Sequence, residues 1–180
     1  MGAYKQRLLG LFDSMDSDRN GVLVWDDFQR VIDRQDASAP QAKAYEDFIR
    51  AYWNIVDPSD RGRDGNYDGT ISKEEFLVYA EKKRIGTTPE TSDLGPMANA
   101  AFTFMDTAGT GAISKTQFQD YLTARNVRAE YAEEAFRRLS TNKETITAKD
   151  VLTGLHTFFT SPDPTPEHSV WVDTLFPAQS

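Results

Sequence analysis

The chain has no cysteine among its 180 residues. A disulfide framework, a thiolate zinc site, an iron–sulfur cluster and a cysteine nucleophile are therefore excluded. Oxygen and two histidines remain for metal chemistry. His156 lies in the apolar stretch "VLTGLHTFFTS" and His168 in a proline-rich tail. With neither HExxH nor GxSxG present, a zinc hydrolase and a serine hydrolase both lack their parts. Both histidines read as packing or surface residues, and no enzymatic activity is expected. Basic charge is also short: 20 Lys and Arg stand against 28 Asp and Glu, a formal net charge of -8 with a pI near 4.8. Binding nucleic acid needs a basic face that releases counterions, so any charged partner should be cationic.

Long apolar runs are missing too. No segment approaches the roughly 20 apolar residues of a membrane span. The opening "MGAYKQRLLGLFDSMD" returns to charge too early for a secretory signal. Gly2 is followed at position 6 by Gln, where N-myristoylation wants Ser or Thr. A cytoplasmic protein with no membrane partner is expected.

What the chain does have is 39% hydrophobic residues, enough for one globular domain or two lobes of about 80 residues, and an internal repeat. The pattern aromatic, two residues, aliphatic, small polar occurs in "FDSMD" ending at Asp16, "WNIVD" at Asp57, "FTFMD" at Asp106 and "FRRLS" at Ser140. After each comes an aliphatic residue and, five positions on, another apolar one: Leu23 and Phe28, Ile71 and Phe76, Ile113 and Phe118, Ile146 and Val151. This is helical spacing arriving at a stop, then restarting. The reading is helix, loop, helix four times over, with helices at 3–15, 26–36, 41–56, 73–84, 96–105, 115–125, 128–139 and 148–160. Leu23 should pair with Ile71, and Ile113 with Ile146, in short strand segments. Phe12, Met15, Phe28, Trp53, Phe76, Phe102, Met105, Phe118, Phe136 and Leu155 read as core. Residues 85–96, "IGTTPETSDLGP", read as a linker. The expected organisation is an all-α, compact fold of four units in two pairs: 1–85, 97–160, and a tail, 161–180, packing on the core.

The first loop places Asp16, Asp18 and Asn20 at positions 1, 3 and 5, Gly21 at 6, Val22 at 7 and Asp27 at 12. Alternating oxygens, a backbone carbonyl at position 7 and a glycine at the sharp turn wrap one hard cation. Asp27 stands where the motif has Glu. One methylene shorter, it grips an ion with both oxygens less easily, which favours six-coordinate Mg²⁺ beside Ca²⁺. The second loop, "DGNYDGTISKEE", puts Asp64, Asn66, Asp68, Gly69, Thr70 by its carbonyl, and Glu75 at positions 1, 3, 5, 6, 7 and 12, a full match. The helix phase would start this loop at Asp57, so residues 58–64 read as an insertion opened by Pro58. In the third loop Asp106 is followed by Ala108, Thr110, Ala112 and Gln117, leaving one carboxylate, too little to outcompete an ion's hydration. The fourth has Ser140, Asn142 and Glu144, lacks the turn glycine, and is one residue short before Ile146; it reads as structural.

The loop motifs, the four units and the ending "FFTSPDPTPEHSVWVDTLFP" resemble the sarcoplasmic calcium-binding protein and calerythrin group of EF-hand proteins. The resemblance implies two EF-hand pairs packed on each other in a protein that buffers or transports Ca²⁺. It places ligand roles on Asp16, Asp18, Asn20, Val22 and Asp27 and on Asp64, Asn66, Asp68, Thr70 and Glu75, about two ions in all, with Mg²⁺ possible at the Asp16–Asp27 loop. A monomer is expected. Two other readings stay open. One is a sensor whose apolar groove takes a partner helix, although the chain has only four methionines for such a surface. The other is a relative of the coelenterazine photoproteins, against which the scarcity of histidine counts. Trp171, Val172, Leu175 and Phe176 of the tail are candidates to fill a groove from within.

Overall fold

A computed structural model describes residues 3–34, 38, 41–56, 69–81 and 88–161. The expected insertion, most of the second loop and the tail lie outside these residues, as do His168 and Asp57. Among the described residues, eight helices and two short strand pairs form four helix-loop-helix units. The first unit is α1 (Ala3–Met15), β1 (Val22–Leu23) and α2 (Trp25–Asp33). The second is α3 (Ala42–Val56), β2 (Ile71–Ser72) and α4 (Lys73–Glu81). After a 3-10 turn at Pro89–Thr91, the third is α5 (Gly95–Met105), β3 (Ile113–Ser114) and α6 (Lys115–Thr123). The fourth is α7 (Ala129–Leu139), β4 (Thr145–Ile146) and α8 (Ala148–Thr160).

The units pair through their loops. β1 and β2 run antiparallel with Leu23 opposite Ile71, and β3 and β4 with Ile113 opposite Ile146. The eight repeat positions, from Leu23 and Phe28 to Ile146 and Val151, are each no more than 2% exposed. A strand residue facing inward and a helix residue one turn further on thus anchor every loop to the core. The other expected core residues are buried as well, except Trp53, which is half-buried. It sits at the rim, edge-on to Trp25 at 5.8 Å and to Phe28 at 4.9 Å between ring centres.

Two helices stop earlier than the periodicity suggests: α2 at Asp33 and α6 at Thr123. For α6 the cause is a left-handed cap. Asn126 has φ 62°, its N–H donates to the Thr123 carbonyl at 2.9 Å, and the Val127 N–H donates to the Leu122 carbonyl at 3.1 Å. That 5→2 and 6→1 pair satisfies the last carbonyls and turns the chain out of the helix.

One hydrophobic cluster runs through both pairs of units. Its centre is α3 on α5 and α5 on α8. The Tyr45 ring of α3 lies 4.9 Å from Phe104 of α5, which meets Tyr121 of α6 edge-on at 5.8 Å. The Arg125 guanidinium covers this group, 3.9 Å from the Tyr121 ring centre. Burial and the neighbouring Tyr121 raise the Tyr45 phenol above its usual value, so it stays protonated. The two ends of the helical body also meet. Arg7 of α1 donates to the carbonyls of Phe158 and Ser161, both at 2.9 Å, and the Tyr4 hydroxyl donates to the Phe159 carbonyl at 2.8 Å. Residues of the first helix thus satisfy the carbonyl end of the last. No helix among the described residues is long and apolar enough to cross a membrane.

Candidate metal centre

Each loop is built on one recurring hydrogen bond. The residue at position 12, in the first turn of the outgoing helix, accepts the backbone N–H of position 9. Asp27 Oδ2 accepts from Val24 at 3.0 Å, Glu75 Oε2 from Ser72 at 2.6 Å, Gln117 Oε1 from Ser114 at 2.9 Å and Asp150 Oδ2 from Thr147 at 2.8 Å. This is half of a capping box, and it fixes the rotation of the position-12 side chain. Ser72, Ser114 and Thr147 complete the box by accepting the position-12 N–H at 3.2, 3.2 and 3.4 Å.

In the first loop, Asp16 opens the turn. Its two oxygens accept the N–H groups of Asn20 at 3.1 Å and Gly21 at 2.8 Å. Gly21 has φ 86°, a conformation that side chains resist. Asp18 accepts from Asn20 N–H at 3.1 Å, and Asn20 Oδ1 accepts from Val22 N–H at 2.9 Å. The Val22 residue lies in β1 opposite Ser72, so the two loops of the pair sit side by side. The outcome is that Asp16, Asp18 and Asp27 each offer a carboxylate oxygen, all within 4.8 Å of one another. Asp27 is fully buried and Asp16 is 4% exposed, while Asp18 is open to solvent. Three negative charges at that spacing repel by about 1 kcal/mol per pair even at the dielectric constant of water, and more where buried. A donor set wholly of hard oxygen, two members of it buried, fits a hard dication of the Ca²⁺ or Mg²⁺ kind.

Two further residues at this site, one in the loop and one in α2, escaped the ligand spacing. Ser17 donates to Asp27 Oδ1 from its N–H at 3.1 Å and its hydroxyl at 2.6 Å. Arg30, one turn beyond Asp27, donates to the Ser17 hydroxyl at 2.9 Å and stands 3.7 Å from Asp27 and 3.8 Å from Asp18. Neither matches a ligand position. The one sequence signal for Arg30 is its place three residues after Asp27, on the same helix face.

Of the second loop's expected ligands, Asp64, Asn66 and Asp68 lie outside the described residues. Gly69 carries φ 73°, and Thr70 and Glu75 are half-buried beside β2. The two loops are braced across the pair by Lys73, which reaches Asp13 of α1 at 2.6 Å. In the other pair, Lys115 and Glu133 of α7 do the same at 2.5 Å.

The third loop keeps the frame without the donors. Asp106 accepts from Thr110 N–H at 3.2 Å and Gly111 N–H at 2.7 Å, as Asp16 does from Asn20 and Gly21. The Thr110 hydroxyl at position 5 donates to the Ala112 carbonyl of position 7 at 2.8 Å. A loop oxygen that a ligand set needs is thereby spent on another loop residue. In the fourth, the Lys143 ammonium donates to both oxygens of Asp150, at 2.7 and 2.9 Å. Burial alone would raise the Asp150 pKa, but hydrogen bonds from Lys143 and Thr147 and the charge of Lys143 outweigh it and hold the carboxyl below its usual range.

No family model and no curated protein matches the sequence. Solved structures do match along nearly its whole length. A sarcoplasmic calcium-binding protein from amphioxus superposes with a TM-score of 0.66 at 21% identity, over 93% of this chain and 95% of that one. Calcium-loaded apo-aequorin from Aequorea victoria gives 0.67 at 19%, over 90% and 93%. A Streptomyces coelicolor calcium-binding protein gives 0.62 at 25%, over 87% and 98%. The fold is the EF-hand fold, as the loop motifs suggest.

Proposed function

We propose that the protein is an intracellular, monomeric calcium-binding protein that buffers or carries Ca²⁺, with about two ions held in its N-terminal pair of hands. The observation that carries this is the convergence of Asp16, Asp18 and Asp27 on one point, two of them buried. Asn20 and the Val22 carbonyl complete the first donor set, with Mg²⁺ competing there. Asp64, Asn66, Asp68, the Thr70 carbonyl and Glu75 form the second by their spacing. The structures it resembles are calcium-binding proteins, in keeping with this reading. The reading carries with it the division into a pair of hands at 1–85, a second pair at 97–160 and a tail, 161–180, that packs on the core.

Buffering is favoured over sensing by what covers the apolar faces. A sensor opens to present an adaptable, Met-rich groove. Here Met15, Met97 and Met105 are buried to within 1% exposure, and α3 and α5 fill each other's faces. Among the described residues, Val78 is the one large apolar side chain left exposed. The competing reading is a regulator that takes a partner helix. The Streptomyces protein, described as a structural basis for prokaryotic calcium-mediated regulation, favours it. The likeness to aequorin is one of fold, and it gives a chromophore-binding role less support than either.

Calorimetric titration with Ca²⁺, with and without Mg²⁺, on the wild type, Asp27→Ala and Glu75→Gln tests the sites. Two sites are expected, the Glu75 site dominant and the Asp27 site the more Mg²⁺-sensitive; no binding, or three comparable sites, overturns the assignment. A hydrophobic dye that brightens strongly on adding Ca²⁺ replaces the buffer with the regulator. Light emission with coelenterazine and Ca²⁺ would replace both.

A further inference from the structure

Asp150 stands four residues after Ile146, as Asp27 does after Leu23, so it is the position-12 carboxylate of the fourth hand. It makes the same bond to the position-9 N–H and is 8% exposed. What faces it differs. In the first hand one position-12 oxygen lies within 4.8 Å of carboxylate oxygens of Asp16 and Asp18, and the nearest cationic group, Arg30, stands off at 3.7 Å. In the fourth they hold an ammonium group in a two-pronged grip.

The short loop explains how Lys143 gets there. α7 ends in a double left-handed turn, with Thr141 at φ 53° and Asn142 at φ 64°. Their N–H groups donate to the carbonyls of Arg138 at 3.1 Å and Arg137 at 3.0 Å, and the Lys143 N–H closes on the Ser140 carbonyl at 3.1 Å. A left-handed Thr is costly for a β-branched residue. The turn consumes the stretch that carries ligands in the first hand and brings Lys143 over Asp150.

We propose that Lys143 is a tethered cation that takes the place of a divalent ion in the fourth hand, holding β4 and α8 together at every calcium concentration and excluding dications from Asp150. This rests on the reading of the hands as cation sites. The physical case is one of charge and concentration. A buried carboxylate needs a cationic partner, and removing that partner strands the charge. Lys143 stands seven positions before Asp150, so its effective concentration, of millimolar order for a short tether, exceeds the roughly micromolar or lower free Ca²⁺ that sensor hands respond to. The consequence is a division of labour. β4 stays paired with β3, and α8 keeps the carbonyl end that Arg7 caps, whether or not the first two hands are loaded.

The test is NMR on the full chain, following the Asp150 carboxylate carbon and exchange of the Ile146 amide. In the wild type, millimolar Ca²⁺ is expected to shift residues of the first hand and leave both Asp150 and Ile146 unmoved. In Lys143→Ala, protection of Ile146 should fall about tenfold, and millimolar Ca²⁺ or Mg²⁺ should restore part of it. Lys143→Arg should keep it. An Asp150 carboxylate that moves with Ca²⁺ in the wild type overturns the proposal without any variant. So does a Lys143→Ala protein with undiminished protection, or one whose lost protection no dication restores. Failure of the calcium reading looks different: no residue of the first hand responds in the wild type.

Discussion

Asp27 and Asp150 occupy equivalent places in the first and fourth hands, each fixed by a backbone N–H three residues before it, at 3.0 and 2.8 Å. One faces two more carboxylates and the other an ammonium group. The same residue type therefore belongs to a cluster of three carboxylates in one setting and is half of an internal ion pair in the other. The neighbours decide the role, and each set of neighbours yields its own experiment.

At the first hand, side-chain length is the variable. Asp27 spends Oδ2 on Val24 and Oδ1 on Ser17, so little of its reach is left for an ion. Glu75 makes the equivalent backbone bond with one methylene more, which shows that the cap accommodates the longer side chain. Asp27→Glu is expected to raise the preference of this site for Ca²⁺ over Mg²⁺ by about tenfold, or 1.4 kcal/mol. Paired calorimetric titrations with the two ions measure it, and an unchanged ratio means that Asp27 does not set the selectivity.

The charge facing that site is the second variable. Arg30 is 48% exposed and stands 3.7 Å from Asp27 and 3.8 Å from Asp18, so it repels an incoming dication through partly screened solvent. Arg30→Gln keeps the helix and removes the charge. Affinity of the first hand should rise roughly threefold at low salt, and the gain should shrink toward nothing at about 1 M salt, where the screening length is about 3 Å. Titration at two ionic strengths separates this from a change in folding, which salt would not cancel.

Much of this arrangement is legible in the chain because EF-hand logic is local. The aromatic and aliphatic residues before Asp16 and Asp106, and the five-residue step from Leu23 to Phe28, specify helix ends, strand partners and inward faces within a few residues. Lys143 is invisible to that logic, since a search for oxygen donors passes over an ammonium group, and its meeting with Asp150 depends on the left-handed turn at Thr141. Asp150 shows the same blind spot: with the loop one residue short, counting from Ser140 misses it, while counting from Ile146 finds it. The packing of α3 on α5, and of Arg7 on the end of α8, joins segments far apart in sequence, and no spacing rule encodes such contacts.

The contact between α3 and α5 also bears on the choice between buffer and regulator. Phe104 is 8% exposed, wedged between Tyr45 and Tyr121. Truncation leaves a cavity that rings cannot close, so Phe104→Ala should cost about 3–5 kcal/mol. If this wedge is what keeps the apolar faces covered, the variant should also bind a hydrophobic dye where the wild type does not. Chemical denaturation and dye fluorescence read the two effects, and a cost below about 1 kcal/mol would mean that Phe104 does not hold the halves together.

The last prediction concerns pH, and its sign follows from linkage. The folded-state pKa of Asp150 is lowered from its usual 3.8, because its hydrogen bonds to Lys143 and Thr147 and the charge of Lys143 outweigh the opposing effect of burial. A group whose pKa is depressed by folding stabilises the native state fully above its unfolded value. It loses that contribution as pH falls through the folded one. Asp150→Asn should therefore be less stable than the wild type near neutral pH, and the gap should close as pH drops below about 3.8. The other acid-sensitive pairs cancel in the comparison. Glu134 is one such group, brought to about 2 by hydrogen bonds from Arg137 and Arg138, and it is present in both proteins. Melting in the presence of chelator, from neutral pH down to the acid limit, gives the difference curve directly. A gap that stays constant to low pH would show that the Lys143–Asp150 pair contributes shape and not charge.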